Sequence, residues 1–158
     1  MERRSATVAR DLGVRDNVVM NDSSREPQAR VMIVDDHPMW RDAVERDLVA
    51  RGYDVVATAG SVREAVDRAR ATRPDLVLMD MNLPDGNGAD ATSAIMLTLA
   101  EVKVLVLSAS SARSDVLDAV KVGASGYLLK SASAAELVDA VEATLRGDAV
   151  FTLSLIHI

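Results

Sequence analysis

From residue 31 onward the chain alternates five times between a short aliphatic run and a longer amphipathic stretch, and this alternation restricts the fold more than any other property. The runs are Val31 to Val34, Val55 to Ala59, Leu76 to Met79, Val102 to Leu107 and Tyr127 to Leu129. Each is nearly continuous in apolar character, the pattern of parallel strands covered on both faces. The stretches between them, Pro38 to Arg51, Val62 to Thr72, Ala89 to Ala100, Ala112 to Val122 and Ala134 to Arg146, read as helices. Ser61 with Glu64 and Ser133 with Glu136 have the spacing of capping boxes, and Pro38 stands where a first-turn proline is tolerated. Gly52, Gly123 and Gly147 follow the helix ends as left-handed caps would. Five βα units of this kind predict a doubly wound α/β sheet with right-handed crossovers. Extra apolar residues at Met96, Leu97 and Leu99 exceed what one helix face needs.

The composition narrows the chemistry. With only 3% aromatic residues the core must be aliphatic. There is no cysteine and only two histidines, so any metal must be held mainly by oxygen. Residues 1 to 30 hold six Arg and five acids, leaving twelve bases and nineteen acids from residue 31 onward. That acid excess opposes non-specific binding to DNA, which depends on basic surface. No apolar run approaches the roughly 18 residues that span a bilayer, and a cytoplasmic protein without membrane contact is expected.

In doubly wound sheets, ligands bind beyond the carboxyl ends of the strands, near the point where strand order reverses. The first run here ends in Asp35-Asp36, the third in Asp80, the fourth in Ser108 and the fifth in Lys130. Singly, each could cap a helix or close a strand. Together they bring three carboxylates, a hydroxyl and an ammonium to one edge. Carboxylates about 4 Å apart repel by roughly 4 kcal/mol per pair at an effective dielectric of 20. A divalent cation with oxygen ligands compensates such a cluster, and Mg2+ also engages phosphate oxygens. With the charge neutralised, Asp80 can attack a phosphoryl group and form an acyl phosphate.

The segments Val34-Asp35-Asp36-His37-Pro38, Asp80-Met81-Asn82-Leu83-Pro84-Asp85-Gly86, Leu107-Ser108 and Gly123-Ala124-Ser125-Gly126-Tyr127-Leu128-Leu129-Lys130 resemble the receiver domains of two-component response regulators. The Asp-Asp-His-Pro and Gly-Tyr-Leu-Leu-Lys forms resemble the NarL/FixJ (LuxR-type) subgroup, whose members carry a helix-turn-helix output domain. The resemblance implies a flavodoxin-like, five-stranded sheet of order 2-1-3-4-5 with five helices in three layers. It implies that Asp80 is the phosphoacceptor, that Asp36, Asp80 and the Asn82 carbonyl hold Mg2+ directly, and that Asp35 acts through water. Ser108 would be the switch hydroxyl, Lys130 the phosphate partner, and Tyr127 the aromatic that follows Ser108. The residues themselves also allow Tyr127 to be a filler on an edge strand. The implied partners are a sensor histidine kinase, a second copy on phosphorylation, and DNA through an output domain only. Such a protein modifies itself and is not a turnover enzyme. A phosphatase using an aspartyl phosphate would need an acid two residues after Asp80, where Asn82 stands. Ser131 follows Lys130 where many receivers have proline.

The resemblance covers residues 30–147. Residues 1–29 are polar, rich in Arg and without sustained periodicity, and read as a disordered tail, with Met20 an alternative start. Residues 148–158 read as the start of a linker followed by Leu-Ser-Leu-Ile-His-Ile, which matches the translated end of a transposase adapter used in DNA library preparation. On that reading the native frame continues into a helix-turn-helix domain; a stand-alone receiver that docks partners is the alternative.

Overall fold

A computed structural model describes residues 29–151, so most of the expected N-terminal tail and the adapter-like residues lie outside the described part. The strands are β1 Arg30–Val34, β2 Asp54–Ala59, β3 Leu76–Asp80, β4 Asn82–Leu83, β5 Gly86–Asn87, β6 Lys103–Ser108, β7 Gly126–Leu129 and β8 Val150–Phe151. The helices are α1 Pro38–Ala50, α2 Val62–Thr72, α3 Gly88–Thr98, α4 Arg113–Lys121 and α5 Ala134–Leu145. The main sheet has the order β2-β1-β3-β6-β7-β8 and every pairing in it is parallel. Its first five strands form the doubly wound arrangement expected from the sequence.

Strand side chains alternate between two cores. Met32, Val34, Val77, Met79, Val104 and Val106 pack against α2, α3 and α4, with Ala65, Ala69, Ala91, Ile95 and Ala119 facing them. Val31, Ile33, Leu76, Leu78, Leu105 and Leu107 pack on the other side against Val44 and Leu48 of α1 and Leu137, Val138 and Val141 of α5. Burial on both faces is why the strand sequences are uninterrupted apolar runs. The result is three layers, with α1 and α5 on one side and α2 to α4 on the other.

Four local features depart from the sequence reading. Residues 150 and 151, assigned to a linker, instead pair with β7 as a sixth strand, so Tyr127 is not on the edge. An antiparallel hairpin, β4 with β5, stands between β3 and α3. Only Ser133 and Glu136 form the full capping box; Ser61 Oγ accepts from the Glu64 N–H, but the Glu64 carboxylate reaches the N–H of Gly60 instead. Helix α3 stops at Thr98, leaving Leu97 87% exposed while Leu99, beyond the helix end, is buried. The glycine caps behave as read: Gly52, Gly123 and Gly147 all have positive φ, near 95°.

The β4–β5 hairpin also supplies a cap that the sequence does not announce. Asp85 accepts hydrogen bonds from the N–H groups of Val62 (2.7 Å) and Arg63 (3.1 Å), at the start of α2. These bonds, that of Val62 foremost, hold its carboxyl below the usual carboxylate range. A depressed folded-state pKa means that the stabilisation is present above the unfolded value of 3.8 and is lost as pH falls through the lower folded one. Asp85→Ala is therefore expected to lower the melting temperature at about pH 7 and to show a smaller deficit near about pH 3. Thermal melts at the two pH values check this, and an equal deficit at both would remove the charge from the account.

Candidate functional site

The carboxyl ends of β1, β3, β6 and β7 lie side by side in the sheet, and the polar residues that close them meet there. Chain order reverses at β1, which is flanked by β2 on one side and β3 on the other, so helices leave in opposite directions around this point and open a crevice. Asp35 and Asp36 follow β1, Asp80 ends β3, Ser108 ends β6 and Lys130 follows β7. All of the strand-end residues singled out in the sequence are thus on one edge.

Asp35 is fully buried and Asp80 is 3% exposed, whereas Asp36 stands at the rim. Lys130 Nζ lies 2.5 Å from Asp35 Oδ2 and 3.2 Å from Asp80 Oδ2, bridging the two buried carboxylates. Outside this ion pair Asp35 Oδ2 has no hydrogen-bond partner among the described residues. Asp35 Oδ1 accepts from the His37 N–H at 2.8 Å and lies 2.9 Å from His37 Nδ1. Asp36 Oδ1 is 3.1 Å from the same ring nitrogen. The N–H of Asn82 donates to Asp80 Oδ1 at 3.2 Å. Ligand atoms of Asp35, Asp36, His37 and Asp80 all lie within 4.8 Å of one another. His37 was quoted within a motif but given no role; its place in the cluster follows from the sharp entry into α1 at Pro38.

The electrostatics split the two buried acids. Burial pushes Asp35 up, but Lys130 and the two His37 contacts outweigh it, and its carboxyl stays below its ordinary value. Burial also pushes Asp80 up; with the Asp35 charge added, it prevails over the Asn82 N–H and Lys130. Burial disfavours the Lys130 ammonium, yet the two carboxylates hold its pKa above the ordinary value. One ammonium among three acids leaves the cluster short of positive charge. The predominantly oxygen donors, the excess of acids over the single ammonium and the raised Asp80 all fit a hard divalent cation.

Ser108 is fully buried, and its Oγ accepts from the Ser110 N–H at 3.0 Å. Its carbonyl accepts from the Lys130 N–H at 2.9 Å, tying the ends of β6 and β7 together. Tyr127 is also fully buried, and its hydroxyl donates to the Ser110 carbonyl at 2.8 Å. Burial pushes its phenol above the ordinary range. The Ser108-to-Ser110 turn is thus gripped at one end by β7 and at the other by the Tyr127 side chain.

A doubly wound parallel sheet with three carboxylates and a lysine at its switch point, and Asp-Asp-His-Pro where a glycine-rich phosphate loop would be, belongs with acid-pocket signalling domains rather than nucleotide carriers. The chain is a member of the response regulator receiver domain family, whose pattern it matches over residues 31–142. It is 37% identical over 139 residues to the transcriptional regulatory protein DegU of Brevibacillus brevis, covering 87% of this chain and 59% of that protein. It is also 37% identical over 123 residues to the response regulator protein VraR of Staphylococcus aureus, covering 77% of this chain and 59% of VraR. The crystal structure of a LuxR-family two-component response regulator from Aurantimonas sp. SI85-9A1 superposes with a TM-score of 0.77 at 39% identity, over 82% of this chain and 94% of that one. The LuxR-type subgroup indicated by the motif forms is therefore the right one. The chain spans 59% of the length of the curated relatives it matches. No helix among the described residues is long and apolar enough to cross a membrane.

Proposed function

We propose that the chain is a phosphorylation switch in which Asp80 receives a phosphoryl group from a phosphohistidine of a sensor kinase. The observation that carries the reading is the bridging of Asp35 and Asp80 by Lys130 beside the rim carboxylate of Asp36. A carboxylate oxygen of Asp80 forms the new bond to phosphorus as the bond from phosphorus to the imidazole nitrogen breaks, and the electron pair leaves with the imidazole. Lys130 is already within reach of the group that would be attached. Ser108 would follow the new oxygens once its hydroxyl leaves the Ser110 N–H, and Tyr127, which holds the same turn, would sense that movement. Asp36, Asp80 and the Asn82 carbonyl would hold Mg2+, with Asp35 acting through water. When bound, the cation offsets the clustered negative charge and engages phosphoryl oxygens.

In the whole protein the switch would govern a LuxR-type DNA-binding domain, through dimerisation or release of that domain. Two observations support this: the span of 59% relative to DegU and VraR, and the acid excess of the folded region, which suits a regulator better than a DNA-binding surface. Intact-mass spectrometry after incubation with acetyl phosphate is expected to show one added phosphoryl group with Mg2+, and none when the cation is chelated by EDTA. Asp36→Ala is expected to demand about tenfold or more Mg2+ for the same labelling. Labelling of equal extent with and without the cation would overturn the reading.

A further inference from the structure

Trp40, the only tryptophan of the chain, places its ring centroid 4.9 Å from Lys130 Nζ. The ammonium is thus bounded on three sides, by Asp35 Oδ2, Asp80 Oδ2 and the indole face. Trp40 stands in the first turn of α1, four residues after Asp36, at the mouth of the cleft that Ala43, Leu128, Ala132 and Leu137 also line. It packs partly buried against the core between the sheet and helices α1 and α5, so its position is set by the fold and not by the lysine. A lysine side chain is flexible, and without such a wall its ammonium can swing toward water.

We propose that Trp40 is the positioning residue for Lys130, its indole face holding the ammonium where a phosphoryl group on Asp80 would be met. The inference rests on the phosphoryl-acceptor reading above. An aromatic face attracts a cation without imposing a hydrogen-bond direction. The ammonium can therefore exchange Asp35 for a phosphoryl oxygen while keeping its contact with the ring. A carboxylate or amide in place of Trp40 would compete for the same N–H groups. The indole meets the ammonium and offers no oxygen ligand to Mg2+, so the effect of Trp40 falls on the phosphoryl group and not on the cation.

The test is the binding of beryllofluoride, a phosphoryl mimic, to the 158-residue chain at saturating Mg2+, with Mg2+ affinity measured separately by calorimetry. Trp40→Leu is expected to weaken beryllofluoride binding by about threefold to tenfold and to leave Mg2+ affinity unchanged, while Trp40→Phe recovers most of the loss. Because truncating a half-buried indole can disturb the fold, fluorinated tryptophan at this single site gives a second series of nearly constant shape. Successive fluorines drain the ring face and are expected to weaken beryllofluoride binding step by step. A flat fluorine series, or equal losses for Phe and Leu, would overturn the assignment of Trp40. Failure of the unsubstituted chain to bind beryllofluoride would instead overturn the phosphoryl-acceptor reading itself.

Discussion

Asp80→Asn is expected to reduce phosphoryl incorporation from acetyl phosphate to background while raising the melting temperature. The first effect follows from the chemistry: an amide is a poor nucleophile, and among the described residues no other carboxylate sits against Lys130 at the end of a central strand except Asp35, which is fully buried. The second follows from the sign of the pKa shift. Burial first, then the Asp35 charge, holds the Asp80 carboxyl above its ordinary value, so keeping it ionised at neutral pH costs folding free energy. That cost is present above the folded pKa and disappears as pH falls below the unfolded one. The stabilisation by Asn is accordingly expected to be largest at neutral pH and to fade in acid. Intact-mass spectra and thermal melts on the same samples check both. Undiminished labelling of the Asn variant would remove Asp80 from the mechanism, and a lowered melting temperature would mean that Asp80 is a structural anchor.

Gly88→Ala is expected to lower stability by about 3 kcal/mol, beyond the usual range for surface changes. A Cβ at this position would lie 2.4 Å from the carbonyl oxygen of Asp80 and 3.0 Å from the Met81 Cα and the Met79 Cγ. The first two are backbone atoms and cannot swing aside. Nor can residue 88 retreat, since its N–H donates to the Met81 carbonyl at 2.8 Å and its own carbonyl accepts from Thr92 Oγ1 at 2.7 Å. Its backbone is in an ordinary region, so the cost is one of space and not of conformation. Urea denaturation gives the number directly; a change under about 1 kcal/mol would show that α3 can lift away from β3 without penalty. Any lift would also displace the Asp80 carbonyl, so labelling should fall together with stability.

How far the sequence could be read depended on the length over which each signal repeats. The central strands were legible because both of their faces are covered, which writes burial into consecutive residues such as Leu76-Val77-Leu78-Met79. Asp35, Asp36, Asp80, Ser108 and Lys130 were legible because a polar residue closing such a run stands out. The hairpin of Asn82–Leu83 with Gly86–Asn87 and the strand Val150–Phe151 have two residues on each side, too few to show any period. The excess of apolar residues around Met96 has a spatial explanation: Leu97 faces outward, and Leu99 turns back into the core only after the helix has ended. Three contacts across long stretches of chain left no sequence mark: Asp85 capping α2, Tyr127 reaching Ser110, and Trp40 facing Lys130. Each depends on where one element lies against another. His37 is an intermediate case, since its neighbours in sequence are also its neighbours in space.

The parallel pairing of the main sheet has a consequence for how the charges of the site come together. Parallel neighbours cannot be joined by a hairpin, so β1 and β3 meet only after two crossovers and β7 only after two more. Long closures of this kind slow folding, because the chain entropy is lost before the contacts that reward it exist. Along the chain Asp35 comes with β1, Asp80 with β3, and Lys130 last of the three, after β7. Wherever β7 is undocked, the two acids face each other with no ammonium between them. Docking of β7 thus does more than bury apolar surface: the strand that completes the site also closes its charge balance.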